Sequence, residues 1–123
     1  MNISELFTTP GVGVMSTSSS DGKVSSAIYG RPHIIDENTL VWGMTDRRTF
    51  QNLTRNRHAA YLFKTNGPGF TGVRLLLELI KTEEEGDLLE TIKANTDQIV
   101  GAGAGSAVKH AAWFRITEVR DLI

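Results

Sequence analysis

The chain has 123 residues, the length of one ordinary domain, and its 40% hydrophobic and 22% charged composition is typical of a globular protein, neither disordered nor fibrous. Its formal net charge of −1 gives no general attraction to nucleic acid or anionic lipid, and zero cysteines exclude disulfides, thiol catalysis and cysteine-based zinc sites. Because the N-terminus lacks a basic signal-peptide start and no apolar run reaches membrane-spanning length, we expect one cytoplasmic domain over residues 1–123.

The first third of the chain predicts β-hairpins. A helical turn at residues 3–7 comes first, and Asp21-Gly22 supplies the positive φ of a tight turn. The predicted strands cover residues 11–18, 23–31, 33–35 and 39–44. The second of them is rich in small side chains. Ser25, Ser26 and Ala27 either make it a weak strand or let a ligand approach its backbone closely.

A short helix follows the fourth predicted strand. It is predicted from residue 47 to about residue 57, with Thr45 or Asp46 as its N-cap. Phe50 and Leu53, three positions apart, form its narrow apolar stripe.

The start of this helix carries the strongest local signal for chemistry. Arg47, Arg48 and Thr49 stand in its first turn, where the helix dipole disfavours cations. Guanidinium groups, free backbone N–H groups and a threonine hydroxyl together can bind a phosphate. From the residues alone, a solvated basic surface with Asp46 as ion-pair partner fits equally well. Arg55, at the other end of the helix, suits the dipole without any ligand.

The second half of the chain predicts three more strands and a second helix. The strands cover residues 59–64, 71–80 and 111–119. Thr82 and Glu85 have the spacing of a capping box, which predicts a helix start. Behind it, apolar residues recur at helical spacing: Leu88, Leu89, Ile92 and Ile99. Residues 101–106 are predicted as a loop. The order of elements, dominated by antiparallel hairpins, predicts a mostly β fold: a small barrel with peripheral helices.

Other groups of residues give weaker indications of a functional site. Residues 101–106 are glycine-rich but lack the spacing and the preceding strand of a dinucleotide-binding loop. The three histidines lie far apart without metal-ligand spacing, so no metal site is predicted. They are His33, His58 and His110. The acidic run at residues 83–85 is typical of a helix start. Trp42, Trp113 and Phe114 either stack on an aromatic ligand or pack in a core or interface. No residue stands out as a catalytic acid, base or nucleophile.

Several segments together resemble one known family. They are residues 22–28, residues 43–44 leading into Arg48-Thr49 with Asn52, residues 66–72 and residues 111–117. Their order and spacing over about residues 11–119 are similar to those of the FMN-binding split-barrel family, the pyridoxamine-5'-phosphate-oxidase-like proteins. The chain looks closest to the small bacterial FMN-binding proteins of that family.

The resemblance implies a six-stranded antiparallel split β-barrel that forms a homodimer with FMN at the subunit interface. A shared interface would add to the core of a chain that can bury only about two thirds of its unfolded surface. The resemblance also implies that the second strand runs its backbone along the isoalloxazine and that Arg48 and Thr49 hold the phosphate. Some cofactor-binding residues are indicated by local chemistry and others are implied only by the resemblance. The full expected set is Ser25, Ser26, Ala27, Ile28, Gly43, Met44, Arg47, Arg48, Thr49, Asn52 and Trp113.

Two departures from the family pattern bear on activity. The oxidases carry a basic residue on the second strand near the position of Ser26, and a longer C-terminal region for pyridoxal phosphate. We therefore do not expect vitamin B6 oxidation. The leading hypothesis is a redox-active FMN protein, either an oxidoreductase or an electron carrier. The alternative is a non-catalytic barrel that binds haem, a deazaflavin or a protein partner. Nucleic-acid binding is not favoured at a net charge of −1.

Overall fold

The computed structural model describes residues 2–123, whose strands form one antiparallel sheet. The strands are β1 (Gly11–Ser18), β2 (Val24–Ile28), β3 (His33–Asp36), β4 (Thr39–Met44), β5 (His58–Thr65), β6 (Gly72–Glu83) and β7 (His110–Arg120). The helices are α1 (Ile3–Leu6), α2 (Arg48–Arg55) and α3 (Asp87–Val100), and a 3-10 turn, Ala104–Ala107, precedes β7. The strands lie in the order β2-β1-β5-β6-β7-β4-β3.

The sheet curls into an incomplete barrel. Two strands separate β4 from β5 in the sheet, yet the rings of Trp42 and Tyr61 lie only 4.6 Å apart. Strands β2 and β3 end the sheet as two unjoined edges. The predicted mostly β fold with peripheral helices is confirmed. The sheet has seven strands, which match the seven segments predicted from the residue pattern, whereas the resemblance implied six. The short segment His33–Asp36, predicted at residues 33–35, pairs with β4 as a strand of its own.

Alternate residues of the strands fill the barrel interior. The largest fully buried side chains there include Met15, Tyr61, Phe63, Leu75, Leu77 and Phe114. For Trp42 and Phe114, packing in the core is therefore the correct interpretation. The polar atoms of the aromatic residues are bonded, since Trp42 Nε1 and the Tyr61 hydroxyl donate to the Gly30 carbonyl at 2.8 Å and 2.9 Å. Burial raises the pKa of Tyr61, so this hydroxyl remains a donor.

Helix α3 covers the outer side of β4 and β7. Leu89 and Ile92 pack there against Val41, Val108 and Ala111, apart from the interior core. The helix begins later than predicted, at Asp87, after Gly86 with a φ of +115° and no side-chain cap.

The predicted capping box is wrong because Thr82 remains in a strand, and Glu85 lies in the link between β6 and α3. β6 continues through Thr82 and Glu83, which pair with Ala112 and Ala111 of β7. Ladder hydrogen bonds to β7 thus replace the local helix start that the sequence pattern favoured. Within residues 2–123, no helix is long and apolar enough to cross a membrane.

The opposite part of the sheet exposes apolar side chains. On β2, β1, β5 and β6, one face carries Val24 and Ile28 at 73% exposure, Val12 at 51%, Leu62 at 42% and Leu76 at 47%. The register places these residues on a common face, since Val14 pairs with both Ile28 and Leu62, and Ala60 pairs with Leu76. We call this surface the outer apolar face.

Candidate cofactor site

The start of α2 is basic and uncapped. After β4 ends at Met44, the chain passes through Thr45 and Asp46 to the N-cap, Arg47, whose side chain makes no capping hydrogen bond. Neither predicted cap is therefore correct, and the helix is shorter than predicted, from Arg48 to Arg55. Its first turn contains no acidic residue. The first backbone N–H groups of a helix lack intrahelical acceptors, so this end presents donors and a positive dipole to solvent.

Asp46, the carboxylate next to these arginines in the sequence, is bound elsewhere. Asp46 Oδ1 accepts a hydrogen bond from His110 Nε2 at the start of β7. Arg47 and Arg48 are exposed, and within the described part of the chain neither makes an ion pair or a side-chain hydrogen bond. The interpretation in which Asp46 neutralises the arginines is therefore wrong. The chemistry of this donor set fits the phosphate of FMN.

The other side of α2 is anchored on β1 and β2. Asn52 is buried, and its Nδ2 donates to Thr17 Oγ1 at 3.0 Å. Thr49 is also buried, and its side chain neighbours the Tyr29 hydroxyl. Burial raises the pKa of Tyr29 and the neighbouring Thr49 side chain only partly offsets this, so Tyr29 is a neutral phenol. Thr17 in turn pairs with Ser25, and α2 contacts both β1 and β2.

Strand β2 is an edge strand with two different faces. Ser25 and Ala27 are half-buried and point to the same side as Met15 and Thr17 of β1. Ser26 and Ile28 are exposed on the outer apolar face, where Ser26 Oγ lies 2.8 Å from Ser16 Oγ. One backbone edge of β2 has no neighbouring strand, so a planar ligand has room to approach it.

The structure places three other predicted site residues away from β2. The Met44 side chain lies in the interior core. A Cβ on Gly43 would be 2.6 Å from Cγ2 of Ile92, so this glycine lets α3 pack on β4. Trp113 packs beside α3, with its Nε1 donating to Glu83 Oε1 at 2.5 Å and Lys81 Nζ 4.2 Å from its ring centroid.

The described surface has several clefts. One of about 550 Å³ lies between α3 and the β3–β4 hairpin and reaches Gly43 and Tyr29. Another, about 290 Å³, lies on the outer apolar face between Arg74 and Arg120. A further cleft, about 380 Å³, lies between the β1–β2 turn and α2, beside Arg55. Arg48 lines none of these three clefts and is itself exposed to solvent.

Two residues at this site were not among those predicted from the sequence. His110 contacts groups that are 26 and 64 positions away, a pairing that no local spacing reveals. Tyr29 lies just beyond β2, and the alternation of that strand, which groups it with Ser25 and Ala27, is the only sequence signal for it.

Comparison with known proteins identifies the fold. No protein-family model matches the chain, and no curated protein matches it in sequence. Among solved structures it is similar to an FMN-binding protein from Syntrophomonas wolfei subsp. wolfei, with a TM-score of 0.79 and 17% identity over 99% of this chain and 82% of that one. A pyridoxamine 5'-phosphate oxidase-like protein from Listeria innocua has a TM-score of 0.75 and 19% identity, covering 98% and 94% of the two chains. An F420 reductase has a TM-score of 0.70 and 15% identity, covering 94% of each.

These similarities show the fold. The chain has the split-barrel fold of the pyridoxamine-5'-phosphate-oxidase-like proteins, as the resemblance in its sequence implied.

Proposed function

We propose that this protein is an FMN-binding flavoprotein in which the start of α2 holds the cofactor phosphate. The observation that carries the proposal is the uncapped helix start with Arg47 and Arg48 exposed, while the nearby Asp46 is bound to His110. Arg48 supplies a charge-assisted donor, and the first backbone N–H groups supplement it. Thr49 contributes its backbone N–H, one of the free donors of the first turn.

The isoalloxazine lies along β2 in this proposal. Ser25, Ser26 and Ala27 are small, and β2 is an edge strand, so a flat ring system can reach its backbone. When bound, the flavin supplies the redox chemistry, and the protein supplies binding, orientation and electrostatics. An FMN-binding protein, an F420 reductase and a styrene monooxygenase flavin reductase share this fold, which supports a redox role as oxidoreductase or electron carrier.

A second copy of the chain covers the outer apolar face in this proposal. The exposed valine, isoleucine and leucine side chains of that face are costly to leave in water, and a two-fold interface buries the same patch twice. Ser26 and Ile28 lie at its edge, so a partner seated there borders the proposed flavin position.

Titration of the apoprotein with FMN and with riboflavin tests the function. The two ligands differ by the phosphate, and a charge-assisted hydrogen bond contributes about 1.5–3 kcal/mol. We therefore expect FMN to bind at least about tenfold more tightly than riboflavin, measured by flavin fluorescence quenching. Equal affinities would refute the phosphate site. Failure to bind either ligand would refute the flavin function and favour the non-catalytic barrel.

A further inference from the structure

His110 joins two carboxylates through both nitrogens of its ring. Its Nδ1 lies 2.7 Å from Glu84 Oε2, and its Nε2 hydrogen-bonds Asp46 Oδ1. An ionised carboxylate only accepts hydrogen bonds, and a neutral imidazole has a single N–H to donate. Both contacts are therefore satisfied at once only when the ring is doubly protonated.

This group, which we call the His110 clasp, joins three parts of the chain at the start of α2. Asp46 immediately precedes the N-cap, and Glu84 lies in the link between β6 and α3. The imidazole also stacks on Phe50 in the first turn of α2, with ring centroids 3.6 Å apart and planes 6° from parallel. The His110 side chain is only 12% exposed, whereas the side chains of Asp46 and Glu84 are 69% and 56% exposed, so the ring is shielded and both carboxylates also face solvent.

We propose that doubly protonated His110 is a positioning residue for phosphate binding: it holds Asp46 away from Arg47 and Arg48 and fixes the start of α2. This inference rests on the proposed FMN function. Loss of the ring proton leaves one donor for two carboxylates, removes one positive charge beside the phosphate site and weakens the hold on Asp46, whose carboxylate then competes with the phosphate for the arginines. FMN affinity therefore falls when His110 deprotonates.

The charges around the ring give the sign of the pH dependence. Burial lowers the pKa of His110, but the hydrogen bonds and charges of Asp46 and Glu84 outweigh it, so the pKa is raised above its ordinary value. Among residues 2–123, the titratable side chains that hydrogen-bond the ring are Asp46 and Glu84. Glu83, next to Glu84 in the sequence, is bound to Trp113 instead. The opposing strand residue Met44 and the stacked Phe50 are uncharged. The clasp is thus intact below the ordinary histidine pKa and is lost as pH rises through the raised value.

The test measures FMN and riboflavin dissociation constants from about pH 6 to about pH 9, a range that spans the histidine titration. For the wild type we expect FMN affinity to fall about tenfold with rising pH while riboflavin affinity stays level, since only FMN carries the phosphate. The phosphate itself gains charge with a pKa of about 6, which strengthens binding and has the opposite sign. A fall in FMN affinity with rising pH therefore reflects titration of the protein and not of the phosphate.

Two variants and one control assign the effect to the clasp. We expect His110→Gln to bind FMN weakly at low pH and to lose the pH dependence. Glu84→Gln keeps the ring but removes one charge that favours its protonation, so the fall in FMN affinity should move to lower pH. His58→Gln, at an exposed histidine on β5, should reproduce the wild-type profile. An unchanged profile in His110→Gln, or a parallel fall for riboflavin, overturns the inference.

Thermal unfolding of the apoprotein gives a readout without flavin. We expect the wild-type Tm to decline as pH rises above neutrality, because stability from a raised histidine pKa is lost on deprotonation. His110→Gln should lack that decline, and an identical decline in the variant counts against the clasp.

Failure of the wild type to bind FMN at any pH overturns the proposed function and this inference together. Tight wild-type binding with an unaltered His110→Gln profile overturns only the role of His110.

Discussion

Arg48 and Arg55 lie at opposite ends of α2 and meet opposite electrostatic environments. Arg48 stands in the first turn, where free N–H groups favour an anion, and Arg55 stands in the last turn, where carbonyls favour a cation. We expect Arg48→Ala to weaken FMN binding about tenfold or more, from the loss of a charge-assisted hydrogen bond, without lowering stability. Arg55→Ala should leave the affinity nearly unchanged.

Arg55 is a demanding control because it borders a cleft of its own beside Ser19 and Asp21. Fluorescence titration of both variants with FMN separates the two locations. If Arg55→Ala is the damaging change and Arg48→Ala is silent, the phosphate belongs in that cleft and the helix-start site is wrong.

Asn52 anchors α2 to the sheet through a buried amide. Replacing it with alanine leaves Thr17 Oγ1 without its 3.0 Å partner, and an unpaired buried polar group costs about 1–3 kcal/mol. We expect Asn52→Ala to lower the free energy of unfolding by that amount in urea denaturation. Thr54→Ala, which removes an exposed hydroxyl on the same helix, should stay within about 0.5 kcal/mol of wild type. Similar losses in the two variants would show that the buried bond does not matter.

Among the secondary structure elements, strands were easier to predict from sequence than helix starts. β1 and β4 have the predicted bounds, because turn residues and β-formers define both ends locally. The starts of α2 and α3 were wrong because contacts with distant parts of the chain engage the predicted capping residues. Asp46 binds His110, and Thr82 pairs with Ala112 in the ladder between β6 and β7. Local propensity cannot reveal such a competition.

Gly43 is where α3 approaches the sheet most closely. An added Cβ would lie 2.6 Å from Ile92 Cγ2 and 2.9 Å from Val108 Cγ1, so a neighbour would have to move. We expect Gly43→Ala to lower the free energy of unfolding by about 1–3 kcal/mol, as overpacking does. Gly30→Ala is the matched control, since nothing lies within 4 Å of its added Cβ.

The same variants test whether Gly43 contacts the cofactor, as the sequence suggested. If the glycine serves α3 packing, FMN affinity should be retained in the folded Gly43→Ala protein, and truncating Ile92 to alanine should cost less in that background than alone. Unchanged stability with weakened FMN binding would instead assign Gly43 to the cofactor.

At the scale of the whole molecule, the predicted class of fold was correct, but the arrangement of the strands could not be deduced. Alternation and turn residues identify each strand, whereas β4 pairs with β7 across about 70 residues of intervening chain. Such pairing depends on total burial rather than on local pattern. The candidate site shows the same difference between local pattern and tertiary contacts. The basic helix start at Arg48 was predicted from the sequence, whereas Tyr29 and His110 come next to it only in the folded chain.

The outer apolar face gives the last prediction. Leu62 on β5 and Leu76 on β6 expose 42% and 47% of their surface, and the proposed dimer buries both. A buried unpaired charge is strongly unfavourable, so we expect Leu62→Asp and Leu76→Asp to shift the protein from dimer to monomer in sedimentation velocity. FMN affinity should fall with the dimer, because the partner borders the flavin. Ile99→Asp, at an apolar α3 residue that is 80% exposed on another surface, should leave both properties unchanged. A wild-type protein that sediments as a monomer at micromolar concentration would contradict the interface, and dimers in both leucine variants would show that the copies meet on a different face.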